Sequence, residues 1–167
     1  PVGSATSDFY GGKRKGNNLF AKCVLALDAA TGKRIWHFQT VHHDMWDRDP
    51  PTAPVLVTVT KAGKKVEAVV QVTKTGFIFL LDRRSGQPLY PVTEMPVPAD
   101  TALPGEQVSA TQPVPTFFKP FVRQALLEKD LNRLVPDSSY EDIRGKLARY
   151  KTGHIFNPPS RQGTVIF

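Results

Sequence analysis

Two copies of one short pattern constrain this chain more than any other feature of it. Leu27-Asp28-x-x-Thr31-Gly32-Lys33-x-x-Trp36 is matched further along by Leu81-Asp82-x-x-Ser85-Gly86-Gln87-x-x-Tyr90. In each copy an Asp and a Ser or Thr can bond local backbone, a Gly can take a positive φ, and an aromatic closes the pattern at the same distance from the Asp. Apolar, β-prone runs flank both copies, so each reads as strand, turn, strand. A repeat of this size with several strands per unit marks the blades of a β-propeller, and an enlarged loop accounts for the excess over the usual period. One blade cannot bury both of its faces, and closed rings need about four to eight. The predicted fold class is therefore mainly β: one to two blades of a larger propeller, with a small helical insert.

The rest of the chain fits around these units. Strands are predicted at 19–27, 35–38, 55–59, 66–72 and 76–81, with turns at Ala62-Gly63-Lys64 and Thr73-Lys74-Thr75-Gly76. Residues 1–90 thus form the blade segments. Residues 91–120 hold much of the chain's proline, which lacks a ladder donor, and read as an extended, looping connection rather than a sheet. Residues 121–153 read as a helical insert. Phe121 to Glu128 is rich in helix formers, Ser138 and Glu141 have the spacing of a capping box, and Ile143, Leu147 and Tyr150 share one face. Residues 154–167 start a further strand, and the start at Pro1 reads as that of a trimmed or partial chain.

Composition excludes several classes of function. No apolar run approaches the roughly 18–20 residues that span a bilayer, and no basic, apolar leader is visible. Cys23 is alone in an apolar run, which rules out an internal disulfide and reads as a small core residue. The net charge of +7 comes from scattered short groups such as 13–15 and 83–84, without a nucleic-acid-binding signature, so no nucleic-acid partner is expected.

The chemistry concentrates in Trp36-His37-Phe38-Gln39-Thr40-Val41-His42-His43-Asp44-Met45-Trp46-Asp47-Arg48-Asp49. By residue type alone this could be a buried strand end, a metal site or an active-site loop. Trp36 reads as an aromatic packed between blades and His37 as structural. Asp44 and Asp49 read as braces of the loop, Asp49 lying before Pro50 in a turn-prone position.

This stretch, together with VQVTKTGFIFLLDRRSGQPLYPV and the SATQP and NPPSRQGTVIF segments, resembles the pyrroloquinoline-quinone (PQQ) dehydrogenases, specifically their membrane-bound glucose and polyol branch. The resemblance implies an eight-bladed parent propeller, PQQ and Ca²⁺ as cofactors, and oxidation of an alcohol, polyol or aldose sugar. It implies a quinone or cytochrome as electron acceptor and a periplasmic, membrane-associated parent protein. Carried onto matching positions, Asp47 is similar to the catalytic carboxylate, and Lys74 of the later Lys-Thr-Gly to the cation beside the quinone oxygens. Trp46 is assigned either to the cofactor pocket wall or to the core, His42 and His43 either to the substrate or to a hydrogen-bonded structural role, and Asp8 and Asp47 are implied at the metal. In the G-N-x-T-P-D-type metal-ligand stretch of the family, Ser4 stands here where Asn is expected and Asp8 is retained. The competing expectation is a non-catalytic structural or interaction fragment that keeps the turns for packing alone. In either case the chain is expected to expose unpaired sheet edges or to self-associate through them.

Overall fold

The computed structural model describes residues 1–101 and 103–167. Hairpin β1 (Cys23–Leu27) and β2 (Arg34–Gln39) is followed by a meander of β3 (Val55–Lys61), β4 (Lys64–Val72) and β5 (Ile78–Asp82) in spatial order β3-β4-β5. All pairings are antiparallel. The β3–β4 turn is a two-residue one, with Ala62 at φ 48° and Gly63 at φ 74°, the left-handed pair that suits a tight hairpin.

The two Asp-turns are built almost bond for bond alike. Asp28 Oδ1 accepts from the Thr31 amide and hydroxyl at 2.8 and 2.7 Å, and Asp82 Oδ1 accepts from the Ser85 amide and hydroxyl at 2.8 and 3.0 Å. Gly32 N–H donates to Asp28 O and Gly86 N–H to Asp82 O, with φ of 70° and 72°. Both carboxyl pKa values are lowered, first by these Thr31 and Ser85 bonds. The first unit's aromatic then seats on the second unit's turn. The Trp36 indole N–H donates to Arg83 O at 3.0 Å, and a Cβ placed on Gly86 would lie 2.6 Å from the indole ring.

That contact joins the hairpin to the meander in one core. Val24, Trp36 and Val41 meet Val69, Phe77, Phe79 and Leu81, with Ile155 and Phe156 closing from the far end of the chain. Each fully buried side chain of this size stabilises the fold by about 1.5–3 kcal/mol. Cys23 is buried in the same strand as Val24, as expected of a small core residue, and burial pushes its thiol pKa up to about 11.

Other expectations are corrected. The proline-rich stretch is not wholly looping: β6 (Val92–Pro96) pairs with β7 (Thr111–Pro115) along its whole length. Both are edges of a two-stranded ribbon, where a proline can sit with its missing donor side outward. Residues 121–128 form no helix; they contain β8 (Ala125–Leu126), which pairs with β9 (Gly153–His154), and then a 3₁₀ turn at Glu128–Asp130. Helix α1 (Asp137–Leu147) is capped by Pro136, not by Ser138, and no side chain bonds its first turn. Its buried residue is Tyr140, whose ring lies under the Arg133 guanidinium at 3.8 Å, whereas Ile143 and Tyr150 are exposed. The terminal run 163–167 makes a bridge, Lys151 with Thr164, in place of a strand.

The molecule is open. Its accessible surface is 9830 Å², against about 8,200 Å² for a compact monomer of its mass. Val55 and Leu56 on edge strand β3 are 58% and 62% exposed.

Candidate active site

Two loops converge at the ends of β2 and β4. The first, 40–51, leaves β2 and is folded around Asp44. The buried Asp44 carboxylate accepts the amide of Trp46 through Oδ1 at 3.1 Å and that of Arg48 through Oδ2 at 2.6 Å. Arg48 is drawn inward to the carbonyls of Ile155 and Phe167, and the Trp46 indole donates to Asn157 O at 2.7 Å. Asp47, between them, adopts φ 54°, a left-handed conformation that Asp tolerates better than most residues, and its side chain turns outward. Asp44 is thus the brace that the sequence suggested.

The second loop is the Thr73–Gly76 turn. Thr73 and Thr75 are buried and bond each other through their hydroxyls at 2.7 Å. With both neighbours facing inward, Lys74 is left facing out. Gly76 is required here: at φ 76° it approaches Val122 so closely that a Cβ would lie 2.3 Å from it.

Lys74 Nζ reaches Asp47 Oδ2 at 2.8 Å and Asp49 Oδ1 at 2.5 Å. The side chains of Asp47 and Lys74 keep 37% and 38% of their surface exposed, so the pair faces solvent. The Lys74 hydrogen bond, then that of Ser4, holds the Asp47 carboxyl down to about 2, and Asp47 in turn raises the Lys74 pKa. Both groups are charged at neutral pH. The other oxygen, Asp47 Oδ1, accepts from the Ser4 hydroxyl and lies 3.5 Å from Lys22 Nζ, itself 2.8 Å from Asp44. Sequence reasoning misses both Ser4 and Lys22 at this cluster. A lysine in a polar stretch gives no signal of burial, and Ser4 stands out in the sequence only as a departure from a metal-ligand stretch.

Both histidines have the hydrogen-bonded surroundings of the structural reading. His43 is buried, with Nδ1 against Gly16 O and Nε2 against Glu106 Oε1, both at 2.7 Å. His42 lies between Gln39 Oε1 at 2.7 Å and Glu94 Oε1 at 3.0 Å. In each ring both nitrogens are engaged, so the two residues fasten Glu94 and Glu106 to the Asp47 loop. His37 is likewise structural, edge-on to Phe20 at 5.0 Å.

An exposed ammonium beside an ionised carboxylate fits an anionic quinone cofactor with an alcohol at its edge. The fit to a metal ion is poorer. Asp8 shares no hydrogen bond or ion pair with Asp47, and among the described residues no group of three or more His, Cys, Asp or Glu side chains converges on a metal position. Both Asp47 oxygens already face ammonium or hydroxyl groups. A cation here would need oxygens other than these side chains.

Paired antiparallel sheets, repeated Asp-turns and an aromatic docked on the next turn define the class, a β-propeller segment. The chain belongs to the PQQ family of glucose/ethanol/alcohol dehydrogenase β-propeller domains, which it matches over residues 1–167. It is 43% identical over its whole length to the quinoprotein glucose dehydrogenase of Gluconobacter oxydans (strain 621H) and 40% identical to quinoprotein glucose dehydrogenase A of Acinetobacter calcoaceticus. It is 39% identical, over 96% of its length, to the glycerol dehydrogenase large subunit of G. oxydans. The chain covers 20%, 21% and 22% of these three proteins, about a fifth of each. Among solved structures, the quinohemoprotein alcohol dehydrogenase of Comamonas testosteroni superposes with a TM-score of 0.51 at 27% identity, over 68% of this chain and 17% of that one.

Proposed function

We propose that this chain carries the acid–base half of the active site of a PQQ-dependent dehydrogenase acting on an alcohol, polyol or aldose sugar. The observation that carries the reading is the solvent-facing Asp47–Lys74 pair at 2.8 Å, formed by two loops from separate parts of the sequence. Asp47, ionised at neutral pH, accepts the proton of the substrate hydroxyl as general base. PQQ, when bound, supplies the two-electron acceptor for the hydride. Lys74 stabilises negative charge on the cofactor oxygens. When Lys74 turns to such an oxygen, Asp47 loses the largest cause of its lowered pKa and becomes the stronger base. Trp46, its indole held by Asn157 O, is assigned to the wall of the cofactor pocket on the family resemblance. Ca²⁺ belongs to the reading through the family. A quinone or cytochrome acceptor and a periplasmic, membrane-associated setting rest on the same kinship.

The test is PQQ titration of the intact gene product by fluorescence quenching, followed by dye-linked oxidation of glucose, glycerol and ethanol. Asp47→Asn is expected to keep PQQ affinity and lose at least a hundredfold in kcat, in the range typical of a general base. Lys74→Met is expected to weaken PQQ binding. Failure of the wild-type protein to bind PQQ, or full activity in Asp47→Asn, overturns the assignment.

A further inference from the structure

Lys22 is 2% exposed, and nothing in the general-base scheme uses it. Its position is fixed by backbone. The Val2 amide donates to Cys23 O at 2.7 Å and the Lys22 amide to Gly3 O at 3.1 Å, which lays Ser4 alongside the lysine. Lys22 O accepts both the amide and the hydroxyl of Thr40 at 2.9 Å, tying it to the start of the Asp47 loop. At φ 57° its side chain turns into the interior.

An ammonium can only donate, so the Ser4 oxygen accepts from Lys22. The Ser4 proton is then committed to its remaining partner, Asp47 Oδ1. The direction of the chain is therefore set: Lys22 Nζ to Ser4 Oγ to Asp47 Oδ1, each bond polarising the next from an inner end shielded from water. Asp44 closes it from the other side at 2.8 Å from Nζ. The two carboxylate oxygens of Asp47 thus differ, Oδ1 being tied to the interior and Oδ2 turned outward to Lys74.

Building on the dehydrogenase reading, we propose that Lys22 and Ser4 are positioning residues that anchor Oδ1, so that Oδ2 is the oxygen that receives the substrate's hydroxyl proton. The serine found where the family resemblance leads one to expect asparagine supplies both the acceptor for this buried ammonium and the donor to Asp47 Oδ1.

The test uses the intact gene product with Ser4→Ala and Lys22→Met. Ser4→Ala removes the bridge without stranding a buried charge. It is expected to lower kcat about tenfold, the rate equivalent of one hydrogen bond to a charged group, with KM, PQQ affinity and Tm unchanged. Lys22→Met is expected to lower kcat at least as far and also to lower Tm, because Asp44 loses its ammonium. Infrared difference spectra of the PQQ-free protein supply a readout independent of turnover. The antisymmetric carboxylate band of Asp47, identified by its disappearance in Asp47→Asn, is expected to shift in both variants. Wild-type kcat together with an unshifted band in Ser4→Ala overturns the proposal, as does a Lys22→Met protein that loses Tm alone. If the wild-type protein neither binds PQQ nor oxidises any of these substrates, the dehydrogenase reading falls, and the band shift still decides whether Oδ1 is anchored.

Discussion

Adding one methyl group to each of the two Asp-turn glycines tests the packing of the repeats against an internal control. Gly32 and Gly86 have nearly the same φ, 70° and 72°, and the same amide-to-Asp bond. Alanine in a left-handed conformation costs about 1–2 kcal/mol at either site. At Gly32 a Cβ meets nothing within 4 Å, so that is the whole cost. At Gly86 it meets Trp36 Cδ2 and Cε3 at 2.6 Å, and the ring is held by its bond to Arg83 O and by the core behind it. Overpacking of this kind adds about 1–3 kcal/mol. Gly86→Ala should therefore destabilise by about 2 kcal/mol more than Gly32→Ala, read as the difference in equilibrium urea unfolding followed by tryptophan fluorescence. In a Trp36→Leu background the excess at Gly86 should shrink to less than about 1 kcal/mol, a direct coupling energy. Equal costs in the wild-type background, within about 0.5 kcal/mol as expected of uncoupled sites, would show that Trp36 does not seat on the second turn.

Three more expectations can be checked by simpler measurements. In Lys74→Met the Asp47 carboxyl should rise from about 2 toward its ordinary 3.8, followed by carbon NMR; an unmoved titration would deny the pair. Because that pKa is depressed in the folded state, the stabilisation is present above about pH 4 and is lost as pH falls toward 2. Solvent exposure limits it to less than about 1 kcal/mol. Cys23, buried and raised to about 11, should resist a thiol reagent at about pH 8 in the native protein and react at once in urea; native reactivity would contradict its burial. Glu106→Ala should cost about 1–3 kcal/mol in urea unfolding by leaving the buried His43 ring and the Gly11 amide without their acceptor, and a loss below about 0.5 kcal/mol would mean that this contact carries no stability.

What is legible in the sequence is local. The Asp-turns and the hairpins, including the turn at Thr73-Lys74-Thr75-Gly76, are settled by bonds between residues a few positions apart, so their pattern is written in consecutive letters. The β6–β7 ribbon is hidden because Val92 and Pro115 meet across a long intervening stretch that includes several prolines. The capping-box spacing at Ser138 misleads because Pro136, with φ of −54°, starts the helix earlier and its carbonyl takes the Tyr140 amide. At the site, Asp47 and Lys74 are singled out by the family resemblance, while their contact at 2.8 Å is a matter of the fold. The anchoring by Ser4 and Lys22 and the engagement of His42 and His43 with Glu94 and Glu106 depend on long-range convergence. No spacing in the chain announces them.

The seating of Trp36 on Gly86 also carries a geometrical consequence. The contact is head-to-tail: one unit offers an aromatic plug and the next offers a glycine socket, so the surfaces that meet are unlike. Tyr90, which holds the same place in the second unit, is half-buried and stacked on Phe117 at 3.9 Å and 11°. Unlike surfaces joined in one direction can repeat without limit until the rotation per step brings the last unit back to the first. The number of units in the finished ring is therefore governed by the angle at each plug and socket, and a change of packing at Gly86 would act on ring closure as well as on stability.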